Sequence, residues 1–172
     1  RLTLAEDSAD VSFLEEELRS HGVQCVRVRC PMDPDHEEVS RVVAAVDDSW
    51  RSLAESNGDE RRDHGGESSD AGVMGYIGVD RAAGPAKPRV ALVVRNGGRA
   101  TGQPALAAAI QRKWDLLLIC VRDPREVREV EAALSHEAPV LVTYSTERVV
   151  LSALARVLAG ETGPKGVIPV KM

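Results

Sequence analysis

Aromatic residues are scarce: two Trp, two Tyr and one Phe in 172 residues, 3% of the chain. Sugar sites lean on aromatic platforms, and the two indoles offer poor ones. Trp50 continues a helical apolar stripe and Trp114 directly precedes an apolar run, so both read as core or interface residues. A basic surplus is also lacking. Lys and Arg total 22 against 27 Asp and Glu, a net charge of -5, which argues against a general nucleic-acid binder. No apolar run reaches the roughly 18 residues that mark a membrane span. The chain is too short for a (β/α)8 barrel, which takes about 250 residues.

Cysteine is sparse and unpaired in pattern. Cys25, Cys30 and Cys120 make an odd set with no CxxC, and each lies in or beside an apolar run. They read as buried reduced thiols, which favours an intracellular protein. The four histidines, His21, His36, His64 and His136, have no metal-ligand spacing, so no metal and no cofactor is expected. No GxGxxG, GxxxxGK[ST] or GxSxG occurs. Asp63-His64 is an adjacent acid–imidazole pair, and its polar surroundings read as a solvated loop.

What the chain does have is alternation. Leu2–Leu4 reads as a first strand, with Ser8 or Asp10 capping a helix whose Val11, Leu14 and Leu18 share a face and which ends at His21-Gly22. A second strand runs from about Val23 to Arg29 and stops at Pro31. Asp35-His36-Glu37-Glu38 opens a second helix, where acids suit the positive N-terminal end. Its apolar positions are Val39, Val42, Val43, Val46, Trp50 and Leu53. From about residue 55 to 88 the composition turns polar, and a mobile insertion is expected there, with a short extra strand at Val73–Val79.

The second half is clearer. Val90–Val94 and Leu116–Val121 are continuous apolar runs, as in strands buried on both faces. Between them, Thr101–Lys113 reads as a helix with Pro104 in its first turn and Leu106, Ala109 and Ile110 inward. Pro124 opens a helix carrying Val127, Val130 and Leu134, and Val140–Val142 is a third strand of this half. Thr146 is placed to cap a final helix through Leu158, which Gly160 ends. The pattern predicts one domain over residues 1–172: a three-layer α/β/α sandwich around a mostly parallel sheet of about five to six strands. The chain opens on Arg1 rather than Met and is read as part of a longer protein.

Ligands of such sheets sit outside the strand carboxyl ends. That rule nominates Asp7, Arg95, Asn96, Arg122, Asp123 and Tyr144 as ligand-binding residues, with no catalytic residue among them. An ion-pair network between Asp7 and Arg95 or Arg122 is the simpler account of the same cluster. Glu6-Asp7 and Asp10 would repel a phosphate at the first helix. Asn96-Gly97-Gly98-Arg99-Ala100-Thr101-Gly102 is the Gly-rich turn that can hold an anion, and ordinary turn chemistry explains it as well. A phosphoacceptor receiver would need a further acid and a Lys that are missing at the matching strand ends.

From Val90 onward the chain resembles the C-terminal α/β sandwich domain of glycoside hydrolase family 3, in its β-N-acetylglucosaminidase branch. The resemblance rests on Arg95-Asn96 after an apolar strand, on Val121-Arg122-Asp123-Pro124, and on Ala138-Pro139 before a strand ending at Thr143-Tyr144. It rests most on Leu154-Ala155-Arg156-Val157-Leu158-Ala159-Gly160 followed by Gly163-Pro164-Lys165-Gly166-Val167-Ile168-Pro169-Val170, with Ile168 where that family has Leu. Residues 2–50 fit more loosely, and residues from about Trp50 to Pro88 do not fit.

The resemblance implies a division of labour in which the sugar site and nucleophilic Asp belong to an N-terminal (β/α)8 barrel. This chain would then be a non-catalytic accessory domain, inactive alone, of a β-N-acetylhexosaminidase-type hydrolase. Its partner would be that barrel or a second subunit, with carbohydrate as a further ligand and neither nucleic acid nor membrane. The alternative is a stand-alone module that binds a sugar or amino sugar in the crevice at the strand carboxyl ends.

Overall fold

A computed structural model describes residues 2–5, 9–59, 89–95 and 102–166, with side chains over 12–52, 89–95 and 102–166. Strands and helices alternate: β1 (Leu2–Ala5), α1 (Ala9–Ser20), β2 (Cys25–Val28), α2 (His36–Asp59), β3 (Arg89–Val94), α3 (Gly102–Gln111) and β4 (Asp115–Cys120). A 3-10 turn (Pro124–Glu126) then leads into α4 (Val127–Ala132), β5 (Val140–Val142) and α5 (Arg148–Leu158). The described strands form one sheet in the order β2-β1-β3-β4-β5, every neighbouring pair parallel. The order reverses direction between β1 and β3, where sheets of this kind bind their ligands.

The apolar runs of β3 and β4 divide by a period of two. Val90, Leu92 and Val94 join Leu116, Leu118 and Cys120 on one face, against Val42 and Val46 of α2, Leu106, Ala107 and Ile110 of α3, and Val127 and Val130 of α4. Ala91 and Val93 join Leu117, Ile119 and Val121 on the other, against Leu14 and Leu18 of α1 and Leu151, Leu154 and Ala155 of α5. Helices therefore cover both faces, which is why the central strands carry no polar residue between Val90 and Val94. Each fully buried Leu or Ile here contributes about 1.5–3 kcal/mol of hydrophobic stabilisation. Trp114 is buried in the first of these clusters and Trp50 packs against it.

Local chemistry sets the helix ends. Asp35 Oδ1 accepts from the Glu38 amide at 2.8 Å and Glu38 Oε2 accepts from the Asp35 amide at 3.0 Å, a reciprocal capping box at the start of α2. At the end of α1 the Val23 amide donates to Leu18 O and the Gly22 amide to Arg19 O, with Gly22 at φ +73°. The end of α5 repeats this arrangement, Glu161 to Arg156 O and Gly160 to Val157 O, with Gly160 at φ +78°. The two ends meet: His21 Nδ1 lies 2.5 Å from Glu161 Oε1, and Arg156 Nε lies 3.4 Å from Glu161 Oε2.

Several boundaries differ from the sequence expectation. Helix α2 continues through Asp59, past the expected start of the polar insertion near residue 55. The remainder of that insertion and the strand expected at Val73–Val79 lie outside the described residues, as does the tail from Val167. Asp10 is the second residue of α1, so it is no cap, and Ser8 is outside the described residues. Helix α3 ends at Gln111 and buries Ala107, while Ala109 is only partly covered. Leu134 follows the end of α4 and packs against the core from the loop. Residue Glu147, not Thr146, occupies the cap of α5, and the Glu147 amide donates to Ser145 Oγ at 3.1 Å.

Candidate functional site

The parallel register brings the strand carboxyl ends to one edge. Val94 pairs with Cys120 and Cys120 with Val142, so Arg95, Val121 and Thr143 leave the sheet together. Arg122 and Tyr144 follow one step further out. Of the six nominated ligand residues, Arg95, Arg122, Asp123 and Tyr144 therefore sit along this edge. Asp7 and Asn96 lie outside the described residues.

Each of the four has a definite setting. Arg95 is half-buried and its backbone O accepts from Gln103 Nε2 at 2.8 Å. Arg122 is exposed. Asp123 is taken up by its own turn. Its Oδ1 accepts from the Arg125 amide at 3.0 Å, and Arg125 Nη2 reaches Oδ2 at 2.6 Å. These hydrogen bonds from the Arg125 guanidinium, first among the causes, hold the Asp123 carboxyl below the usual carboxylate range. Tyr144 is 49% exposed and has φ +58°, the one non-Gly residue among those described with a positive φ. A left-handed residue with a Cβ costs roughly 1–2 kcal/mol. The turn around it is held by Thr143 Oγ1 donating to Ser145 O at 2.8 Å.

Three residues that the sequence reasoning did not nominate define the inner part of the edge. The Gly102 amide at the start of α3 donates to Asp33 Oδ1 at 2.7 Å. Gln103 donates through Nε2 to both Met32 O and Arg95 O, at 2.9 and 2.8 Å. The β2–α2 loop is thereby pressed onto α3, so closely that a Cβ on Gly102 would lie 1.9 Å from Pro34 O. The Asp33 carboxylate thus caps the start of α3, and residues 96–101 of the Gly-rich turn lie outside the described residues. The third residue is Glu126, whose Oε2 is buried with no hydrogen-bond partner among the described residues, as is Gln103 Oε1. Trp50 Nε1 on α2 is also buried without an acceptor, and nothing in the structure explains it.

All three cysteines are buried and free. Burial pushes the Cys25 and Cys120 thiols up, which makes them poor nucleophiles. Among the described residues no group of three His, Cys, Asp or Glu is placed to hold a metal, and no helix is long and apolar enough to cross a membrane. An open groove lined by Arg19, Gly22, Val23, Gln24, Cys25 and Val26 lies at the amino end of β2, away from the carboxyl edge.

The exposed large apolar side chains among the described residues are Met32, Tyr144 and Val149. All three follow strand carboxyl ends: Met32 after β2, Tyr144 after β5, and Val149 in the first turn of α5. Strands β2 and β5 are the two outer strands of the sheet, so Met32 and Tyr144 stand at opposite ends of the carboxyl edge.

No family model matches the sequence, and no curated protein does. A solved structure does match. A glycoside hydrolase family 3 β-N-acetylglucosaminidase from Paenibacillus sp. str. FPU-7 superposes on 98% of this chain with a TM-score of 0.59 at 16% identity. The chain spans 27% of the length of that enzyme. At that identity the likeness is one of fold, and the chain has the fold of a segment of a family 3 glycoside hydrolase.

Proposed function

We propose that the chain is the non-catalytic accessory domain, a three-layer α/β/α sandwich, of a family 3 β-N-acetylglucosaminidase-like protein. The observation that carries this reading is the superposition of nearly the whole chain on about a quarter of such an enzyme. Two-carboxylate glycosidase chemistry places its groups about 5 Å apart in a retaining enzyme. Among the described carboxylates of the edge, Asp123 is tied to Arg125 and Asp33 caps α3. The division of labour expected for the family puts sugar hydrolysis on a barrel. The role left for this chain is to hold that barrel, with Tyr144 and Val149, which both follow β5, as the docking surface. Apolar and aromatic side chains beside an exposed Arg are the composition of a protein-binding surface.

The test is co-purification of this chain with the barrel it serves, using Val149→Asp. A charge at a 71% exposed position leaves the isolated domain folded. Loss of association supports the docking surface, and unchanged association removes it.

A second reading is a sugar- or amino-sugar-binding module at the same edge, favoured by the register that gathers Arg95, Arg122 and Tyr144 there. The two readings are compatible, because ligand pockets often lie at domain interfaces.

A further inference from the structure

The two outer strands close the sheet in different ways. Strand β2 carries a charge. Its Arg27 turns onto α1, donating to Ser12 Oγ and lying 3.8 Å from Glu15 Oε2, and the exposed Arg29 follows the strand. Charges of this kind keep an edge from pairing with another chain. Strand β5 has no such guard. Val140, Leu141 and Val142 are apolar and half-buried, and no described residue pairs with the strand on the side away from β4.

The ladder fixes which backbone groups are left over. The Leu118 amide donates to Pro139 O and the Thr143 amide to Cys120 O, each at 2.9 Å, so residues 139, 141 and 143 face β4. The N–H and C=O groups of Val140 and Val142 therefore point outward. Pro139, which has no N–H, faces inward and leaves the outer edge able to pair.

Helix α5 continues this side of the molecule. One of its flanks meets α1: the Arg148 guanidinium lies 5.3 Å from the Phe13 ring, and Arg156 shares Glu161 with His21. Val150, Ala153 and Val157 stand on the flank turned away from α1, all uncharged and either exposed or half-buried. That flank lies toward β5, because α1 covers the opposite end of the sheet, where Cys25 Sγ of β2 donates to Glu15 O. An unpaired strand and an uncharged helix flank thus stand side by side.

A partner for this side has to bring an apolar strand with the same spare hydrogen bonds and an uncharged surface beside it. The chain's own β5 and α5 supply both. We propose that this side is the interface of a homodimer, in which β5 pairs antiparallel with β5 of a second copy about a two-fold axis at Leu141. Val140 then stands opposite Val142 of the second copy, and all four outward groups on each copy are paired. Two five-stranded sheets become one, and the two α5 flanks meet on the same face. So short an edge makes a small interface, which places the dimer among weak, transient ones. The inference is independent of docking to a barrel through Tyr144 and Val149.

The test is sedimentation equilibrium of the whole chain from about 10 to 1,000 µM, the range in which weak dimers dissociate, with amide hydrogen exchange at both limits. The mass is expected to rise with concentration from 18.5 kDa toward twice that value. The Val140 and Val142 amides should be protected only at the high limit, and the Thr143 amide, held by β4, at both. Val142→Pro removes an outward donor and leaves the ladder to β4 intact, so it should weaken the dimer about tenfold or more, one hydrogen bond being lost on each copy. Ala153→Glu sets like charges against each other across the axis and leaves β5 untouched. It should weaken the dimer as well, and it decides the matter if Val142→Pro does not fold. A monomer over the whole range overturns the proposal, as does a dimer that a folded Val142→Pro or Ala153→Glu leaves unchanged. Protection of Val140 and Val142 that ignores concentration gives the edge to another part of this chain, and protection that appears only with the barrel gives it to the barrel. Either result overturns the proposal.

Discussion

Gly102 and Asp33 are joined across the mouth of the fold, the helix amide donating to the loop carboxylate at 2.7 Å. One contact thereby caps the start of α3 and seats the β2–α2 loop. The interaction combines a helix N-cap with a charge at the positive end of the dipole. Removing it by Asp33→Ala should cost about 1–2 kcal/mol, read as a lower midpoint in urea denaturation with unchanged slope. An unshifted midpoint would show that the loop is held by other contacts.

Gly102→Ala tests the close approach itself. The added Cβ would lie 1.9 Å from Pro34 O, a backbone atom that cannot swing away. Overpacking of this kind should cost about 3 kcal/mol, well above the roughly 0.5–1 kcal/mol that Ala normally gains over Gly inside a helix. A stabilised variant in the same urea experiment would contradict the packing of the loop on α3.

Gln111→Leu addresses the opposite end of that helix. It strands the Ser135 amide and His136 O, so the expected loss is about 2–4 kcal/mol in thermal or urea unfolding. A loss below about 1 kcal/mol would mean that water replaces the amide there.

Much of this architecture is legible in the sequence, and the reason is period. Val90–Val94 and Leu116–Cys120 carry unbroken apolar runs because both faces are covered. Val42 and Val46 declare a helix by spacing, and Gly22 and Gly160 mark helix ends because the left-handed conformation suits them. The edge is less legible. Arg95, Arg122 and Tyr144 are placed by topology alone, since strand order decides which loops become neighbours. Asp33 and Glu126 carry no local signal, and Gln103 carries little. Gln103 meets Met32 across 71 positions, a contact that no window of sequence contains. One hint was present: a Gln one position from the Gly that opens a helix, on the face later shared by Leu106 and Ala107.

Tyr144→Gly separates strain from use. Relief of the positive φ should raise stability by up to about 1 kcal/mol, reduced by the extra flexibility of the unfolded chain. The same change removes a 49% exposed ring from the proposed docking surface and should weaken barrel association. A stability gain with full association would make Tyr144 a strained bystander.

The buried thiols set the alkaline limb of the stability curve. Burial raises the folded pKa of Cys25 and Cys120, so above the unfolded thiol value, about 8.5, the unfolded chain binds fewer protons than the folded one. Stability contributed by these groups is complete below that value and is lost as pH rises toward the folded values. Urea midpoints measured between pH 7 and 10 should fall, less steeply in Cys120→Ala than in wild type. Asp123 acts in the other direction: its folded value is depressed, so its small exposed contribution is present above the usual carboxylate value and disappears as pH falls through the depressed one.

On the proposed function this chain supports hydrolysis without performing it. The deciding measurement is incubation of the purified chain with a chromogenic N-acetylglucosaminide, alone and together with the barrel it is proposed to serve. No turnover is expected from the chain alone, and turnover is expected when the barrel is present. Turnover by the isolated chain, lost on substitution of Asp63 or His64, would contradict it and place a catalytic site within these 172 residues.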